Sequence, residues 1–301
     1  MIYLDEDAVR AHLRWDELID AMERALAAFS QGAVLQPVRS VLTLEERRRY
    51  LGIMPAVVGE VMGAKLVTFY PINAGTERPT HNATIVLYET PTGLPLAVMD
   101  GRLITEMRTA AVSAAVTRRL APADCSVLAL LGSGVQARAH LEALSTVRSF
   151  SEIRVWSRNS AHAQRFARAH GATAVGRAEE AVRGADVVVT ATAAHEPILE
   201  GAWLKPGAHV NAVGSSRPDW RELDDEAMAN LVVVDSREAA AVEAGDVLIA
   251  KASIYAEIGE IFAGIKTAPA SATTVFKSVG LAVEDVAAAK LVADAAARIE
   301  C

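Results

Sequence analysis

Gly132-Ser133-Gly134-Val135-Gln136-Ala137 constrains this chain more than any other stretch. It follows the apolar run at 126–131 (SVLALL) and opens a segment, 135–144, whose pattern predicts a helix. Strand, tight glycine turn and helix N-terminus in that order make the dinucleotide-binding fingerprint, here in its G-x-G-x-x-A form. The first glycine permits the turn, and the second lets backbone approach a pyrophosphate. A small third residue, Ala137, lets the helix pack on the strand. The helix N-terminus offers free N–H groups and partial positive charge to the phosphates. Expected cofactor contacts are Gly132, Ser133, Gly134, Val135 and Gln136, joined by Ala191, Thr192 and Val213 further along.

From residue 126 onward, short apolar runs alternate with helical stretches. Strands are expected at 126–131, 153–156, 172–175, 187–192, 210–213 and 232–234. A helix is expected at 160–169, capped by Ser160 and stopped by Gly171. This alternation predicts an α/β fold with a Rossmann-type, doubly wound parallel sheet. Near-continuous valine runs suit strands covered on both faces. The first hundred or so residues differ. An amphipathic helix at 16–29 precedes short strands at 38–42, 50–54, 61–69, 84–87 and 96–99, split by Gly, Pro and Asn, which predicts an antiparallel sheet. A helix at 105–120 leads into the nucleotide-binding part, and an alanine-rich helix at 280–299 closes the chain. The expected division is a discontinuous α+β substrate-binding and dimerisation domain, 1–119 with 280–301, and an NADP-binding Rossmann domain, 120–279.

An NAD site usually places Asp or Glu at the end of the second strand to bind the ribose hydroxyls. Here that place reads Trp156-Ser157-Arg158-Asn159. No acid repels a 2′-phosphate; Arg158 can pair with one, and Ser157 and Asn159 can donate hydrogen bonds. The expectation is NADPH, with NADP preferred over NAD.

Bulk properties narrow the partners. The chain has 301 residues, is 51% hydrophobic and carries a net charge of −7, with no basic block. Nucleic acid and anionic membranes are therefore not expected to bind. No apolar run reaches the length of a membrane helix, and the acidic start MIYLDEDAVRAHL lacks the pattern of a secretory signal. Two cysteines, Cys125 and Cys301, exclude a disulfide framework and fit a reducing cytoplasm. The histidines show no metal-type spacing, so no metal is expected.

Several motifs converge on one resemblance. Gly52-Ile53-Met54-Pro55, Lys65-Leu66-Val67-Thr68-Phe69-Tyr70, AVMDG at 97–101, ITEMRTAAV at 104–112, the fingerprint itself, PGAHVNAVGSSRPDWREL at 206–223 and TTVFKSVG at 273–280 carry it. Over essentially its whole length the chain resembles the ornithine cyclodeaminase/mu-crystallin family, closest to its ketimine-reductase members. The resemblance implies a homodimer and an α-amino or α-imino acid bound between two domains, facing a nicotinamide. It also implies that Arg39, Lys65 and Arg108 hold the substrate carboxylate, and that Thr109 reaches the cofactor phosphates. Physical chemistry agrees. An arginine fork matches a carboxylate with two charge-assisted hydrogen bonds. A desolvated lysine can donate a proton near neutral pH. Lys65 lies in the apolar run GAKLVTF, where a merely structural charge is expensive. His81, in a loop before a strand, is a further substrate contact by the same resemblance.

Two departures matter. The family's cyclodeaminases carry a catalytic aspartate where this chain has Ser216, and a substrate-binding glutamate where it has Gly52. Without those acids, cyclising ornithine is not expected; Ser216 can instead hydrogen-bond substrate or cofactor. The reading is an NADPH-dependent reductase of cyclic ketimine carboxylates, with Lys65, Arg108, Arg39 and Ser216 as the reacting group of residues. Three alternatives stay open: a cyclodeaminase or amino-acid dehydrogenase, a reductive aminase, and a non-catalytic NADPH-dependent ligand-binding protein.

Overall fold

The computed structural model describes residues 1–46, 48–73 and 75–298. It forms two compact units, Met1–Arg108 with Leu281–Cys301, and Thr109–Gly280. Cys301 itself lies outside the described residues. Among those residues the chain runs β1 (Ile2–Leu4), α1 (Glu6–His12), α2 (Trp15–Ser30), β2 (Val34–Leu35), β3 (Ser40–Glu45), β4 (Arg49–Val58), β5 (Val61–Phe69), β6 (His81–Glu89), β7 (Pro95–Asp100) and α3 (Arg102–Leu120). It continues with β8 (Val127–Leu131), α4 (Val135–Val147), β9 (Glu152–Trp156), α5 (Ser160–His170), β10 (Thr173–Ala174), α6 (Ala178–Val182), β11 (Val187–Thr190) and β12 (His209–Ala212). Then follow α7 (Asp225–Met228), β13 (Leu231–Val234), α8 (Arg237–Glu243), α9 (Gly245–Ala250), β14 (Ile254–Glu257), α10 (Ile258–Phe262), β15 (Thr274–Lys277) and α11 (Ala282–Ala297).

In the first unit the sheet order is β1-β7-β6-β5-β4-β2, with β3 also on the edge of β4. The long β4–β5 and β5–β6 ladders are antiparallel, but β1 runs parallel to β7 and makes the sheet mixed. Side chains alternate across a strand. One face therefore buries Met54, Ala56, Val61, Lys65, Ile85 and Leu87. Helix α11 packs on this sheet and on α2, whose apolar stripe of Leu18, Ile19, Met22 and Leu26 is fully buried. The opposite face carries Leu51, Ile53, Pro55, Val57, Met62 and Ala64, all half-buried, with Leu66 exposed.

In the second unit eight parallel strands run β10-β9-β8-β11-β12-β15-β13-β14. The chain starts at β8, winds outward through β9 and β10, then returns to the other side of β8 with β11. That reversal is the topological switch point at which open α/β sheets bind ligands, outside the carboxyl ends of the strands. Sequence reading predicts six strands here, and the sheet has two more, β14 and β15. Strand β15 threads between β12 and β13 although it ends in a buried lysine, which breaks the apolar signature. Helix α5 is capped by Asn159, whose side chain accepts from the Ala161 N–H, and not by Ser160, which is its first residue. Gly171 ends it in the left-handed conformation (φ 65°). No described helix is long and apolar enough to cross a membrane.

Candidate active-site residues in each unit

The turn after β8 shows two glycines with different duties. Gly132 has φ 124°, and a Cβ there would lie 2.6 Å from the Ala191 carbonyl oxygen, so only glycine fits. Gly134 is the N-cap of α4 at φ −90°, with no side-chain cap. A Cβ on Gly134 would meet nothing within 4 Å. The α4 N-terminus thus presents uncapped amides to open space, which suits a pyrophosphate. Ser133 and Gln136 are half-buried beside this turn, and Val135 is exposed.

Beyond β9, Ser157 is half-buried and Arg158 exposed, with no carboxylate partner to Arg158 among the described residues. The Asn159 side-chain oxygen caps α5, accepting from the Ala161 N–H at 3.0 Å, so the expected donor role falls to its Nδ2. The Thr192 N–H and hydroxyl both donate to Glu222, at 2.7 and 2.6 Å.

Glu222 was not singled out from sequence, yet it ties together the loops after β11 and β12. It also accepts from the Thr190 hydroxyl at 2.7 Å and the Gly214 N–H at 3.0 Å. Burial raises its pKa, against the pull of Lys277. Lys277, fully buried at the end of β15, ion-pairs with Asp246 at 2.8 Å and donates to the Gly214 carbonyl. Asp246 in turn accepts from the Glu222 and Leu223 N–H groups. Glu222 and Lys277 lie in the 206–223 and 273–280 motifs, whereas Asp246 lies in neither. Ser215 is held at φ 53° with its hydroxyl on the Ala194 carbonyl at 2.6 Å. Ser216 next to it is exposed, while Ala191, Val213 and Thr109 are half-buried. Trp220 stacks on His195, with ring centroids 4.0 Å apart.

The first unit holds the cation cluster. Lys65 sits mid-β5 on the covered face and is 2% exposed. Its ammonium is 2.7 Å from Asp285 Oδ2, while Arg108 Nε donates to Asp285 Oδ1 at 3.0 Å. Arg108 Nη1 donates to Glu284. Glu284 and Asp285 lie in the first turn of α11, where the helix macrodipole favours negative charge. The Val283 N–H of the same turn donates to the Gln36 side chain at 2.7 Å, tying α11 to the stretch that leads to Arg39. Arg39 is half-buried, and its charge acts on Lys65. Burial pulls Lys65 down to about 8; Asp285 opposes that fall, and Arg108 and Arg39 add to it. Arg108 is also penalised by burial, but Asp285 and Glu284 more than offset it and leave its pKa raised. His81 pairs with Phe69 in register and stacks on its ring, at 4.5 Å between centroids.

The structure thus brings Lys65, Arg108 and Arg39 together, and adds two carboxylates absent from the sequence reading. Arg108 meets these protein carboxylates through Nε and Nη1. Nη2 is the arm left for a ligand.

A doubly wound sheet with this glycine turn defines a Rossmann-type dinucleotide-binding protein, here joined to a mixed-sheet unit that buries a cation cluster. Residues 2–300 match the ornithine cyclodeaminase/mu-crystallin family, and the chain belongs to it. It is 51% identical over 301 residues to the ketimine reductase mu-crystallin of Mus musculus, covering 97% of this chain and 96% of that one. Among solved structures, it resembles the Δ1-pyrroline-2-carboxylate reductase of Thermococcus litoralis in complex with NADH and L-proline. The TM-score is 0.94 at 34% identity, over 100% of this chain and 98% of that one. An archaeal alanine dehydrogenase dimer with bound NAD matches with TM-score 0.92 and 32% identity, over 99% and 97% of the two chains.

Proposed function

We propose that this protein is an NADPH-dependent reductase of cyclic ketimine carboxylates, piperideine-2-carboxylate and pyrroline-2-carboxylate, yielding cyclic L-amino acids. The observation that carries the reading is the 51% identity, along nearly the whole length, to a ketimine reductase. The first unit supplies the substrate residues and the second the cofactor residues. Bound NADPH supplies the hydride. Arg39 and the free arm of Arg108 take the substrate carboxylate and fix the ring, and such positioning contributes up to about 10 kcal/mol to a barrier. As the C=N bond becomes C–N, its π electrons go to nitrogen, which takes a proton from the Lys65 ammonium. The resulting amine regains its proton from water. An ammonium with a pKa of about 8 is charged at neutral pH yet acidic enough to give up that proton. His81, in the same unit, borders the substrate.

Selectivity for NADPH rests on Arg158 and the absence of an acid from the Trp156–Asn159 stretch; the Thermococcus litoralis and archaeal relatives carry NADH and NAD. The half-buried apolar face of the first sheet is the surface for a homodimer, in keeping with the dimeric archaeal relative. A buried free thiol at Cys125 fits a cytoplasmic reductase. Ornithine cyclisation is disfavoured because position 52 is glycine, where a Cβ would press within 3.0 Å of Val67 Cγ1, and position 216 is serine.

The test follows NADPH absorbance with both ring imines, alongside ornithine plus NAD. Rapid oxidation with an imine and no ammonia from ornithine is the expected result. Ammonia from ornithine with silence toward imines overturns the reading in favour of a cyclodeaminase. Tight ligand binding without turnover turns it toward a binding protein.

A further inference from the structure

The reduction proposed above uses Lys65 as donor and Arg108 as anchor, yet neither stands alone. One carboxylate joins them: Asp285 Oδ2 lies 2.7 Å from the Lys65 ammonium, and Asp285 Oδ1 accepts from Arg108 Nε at 3.0 Å. All three side chains are buried, at 2% exposure for Lys65 and 0% for Asp285. We infer that Asp285 is the positioning residue of this site, holding the Lys65 ammonium in place for proton delivery and yoking it to the carboxylate-binding Arg108. The inference rests on the ketimine-reductase reading for its chemistry, but its geometry stands by itself.

Three features support a working role over simple charge balance. Lysine and arginine here come from different elements, β5 and α3, and a third, α11, supplies the carboxylate that spans them. A shared carboxylate fixes the separation of the two cations, and with it the distance between a substrate's carboxylate and its imine nitrogen. Asp285 also lies in the first turn of α11, where the helix macrodipole favours a carboxylate. Buried ion pairs contribute little net stability compared with well-packed apolar groups, so retention of this one asks for another reason. The groups that bear on the Lys65 charge are Asp285 on α11, Arg108 on α3, Arg39 before β3 and His81 on β6. Of these Asp285 favours the charged form, and Arg108 and Arg39 oppose it. Removing its charge takes away the contact that counters desolvation, Arg108 and Arg39, and the ammonium loses its proton at lower pH.

The experiment compares wild type with Asp285→Asn in two ways. One is the pH profile of kcat/KM for piperideine-2-carboxylate. The other is the 13C-lysine NMR titration of Lys65 in the NADPH-bound protein, its resonance assigned with Lys65→Arg. The expected result is a Lys65 midpoint lower by about one pH unit or more, the alkaline limb of kcat/KM shifting with it. kcat is expected to fall by about tenfold or more, with KM for NADPH little changed. An unmoved Lys65 midpoint overturns the inference. So does a loss of activity in which the pH profile keeps its shape, since a merely structural residue produces that. If wild type turns over no ring imine, the functional reading fails while the NMR titration still decides the role of Asp285. If Asp285→Asn does not fold, Asp285→Glu carries the test. It keeps the charge but displaces the carboxylate by one methylene, so kcat is expected to fall about tenfold with the midpoint nearly fixed. Wild-type kcat in that variant overturns the inference.

Discussion

Arg158 stands exposed after β9 without a carboxylate partner among the described residues, whereas Lys65 is buried against one. An exposed, unpaired arginine adds little to stability, so replacing it isolates its ligand role. Arg158→Ala is expected to leave thermal stability within about 0.5 kcal/mol of wild type, as for most surface substitutions. KM for NADPH is expected to rise by about tenfold or more, and KM for NADH to stay nearly constant. Steady-state kinetics with both cofactors checks this, and an equal rise for both removes Arg158 from 2′-phosphate recognition. The two cations also differ in how legible they were. Lys65 announced itself as a charge inside an apolar strand, and Arg158 as a base where an acid is customary. Glu284 and Asp285 gave no such sign. Acids in the first turn of an alanine-rich helix satisfy the macrodipole and read as ordinary. Their partner Arg108 is 176 and 177 residues away, beyond any local pattern.

The element that most rewarded sequence reading is the β8–turn–α4 unit, because each of its glycines answers a steric demand. Gly132→Ala places a methyl 2.6 Å from the Ala191 oxygen in a left-handed conformation, so both backbone and β11 loop must shift. The variant is expected to lose about 2 kcal/mol or more of stability together with cofactor affinity. Gly134→Ala is expected to melt like wild type, since its Cβ meets no protein atom within 4 Å, yet to bind NADPH more weakly. Thermal melts and fluorescence titration with NADPH separate the two, and equal melting of both variants contradicts the steric argument. Strands β8, β9, β11, β12 and β13 were legible from apolar runs. Strand β15 was not, because it ends in Lys277, whose charge is answered by Asp246 from α9. Strand β14 (IYAE) has too little apolar run to signal itself. The parallel β1 is three residues long and pairs with β7 across the whole first unit. In each of these elements a distant partner supplies what the local sequence lacks.

At the scale of the whole molecule, two buried histidines weaken the fold toward acid. His140 lies between the Gln136 carbonyl and the Ser113 hydroxyl, and His209 between Thr274 and Asn211. Burial pulls both down to about 4. In the unfolded chain such rings take a proton near pH 6.5, in the folded one only near 4, so protons favour unfolding between those values. The stability from each is complete above about pH 6.5 and falls by up to about 3 kcal/mol on acidification toward pH 4. Glu222 and Asp235, raised by burial, work in the opposite sense, so the histidines are best followed individually. Their ring resonances are expected not to titrate above about pH 5 in the folded protein; midpoints near 6.5 contradict the burial argument.

Helix α11 has one more consequence, for how the molecule comes into being. A ribosome delivers Lys65 and Arg108 long before Asp285, with the entire Thr109–Gly280 unit emerging in between. Whatever folds early, the nascent first sheet carries its cations without their counter-ions until synthesis has passed α11. Of the two units, the one whose synthesis starts first is therefore the one that must wait to be finished.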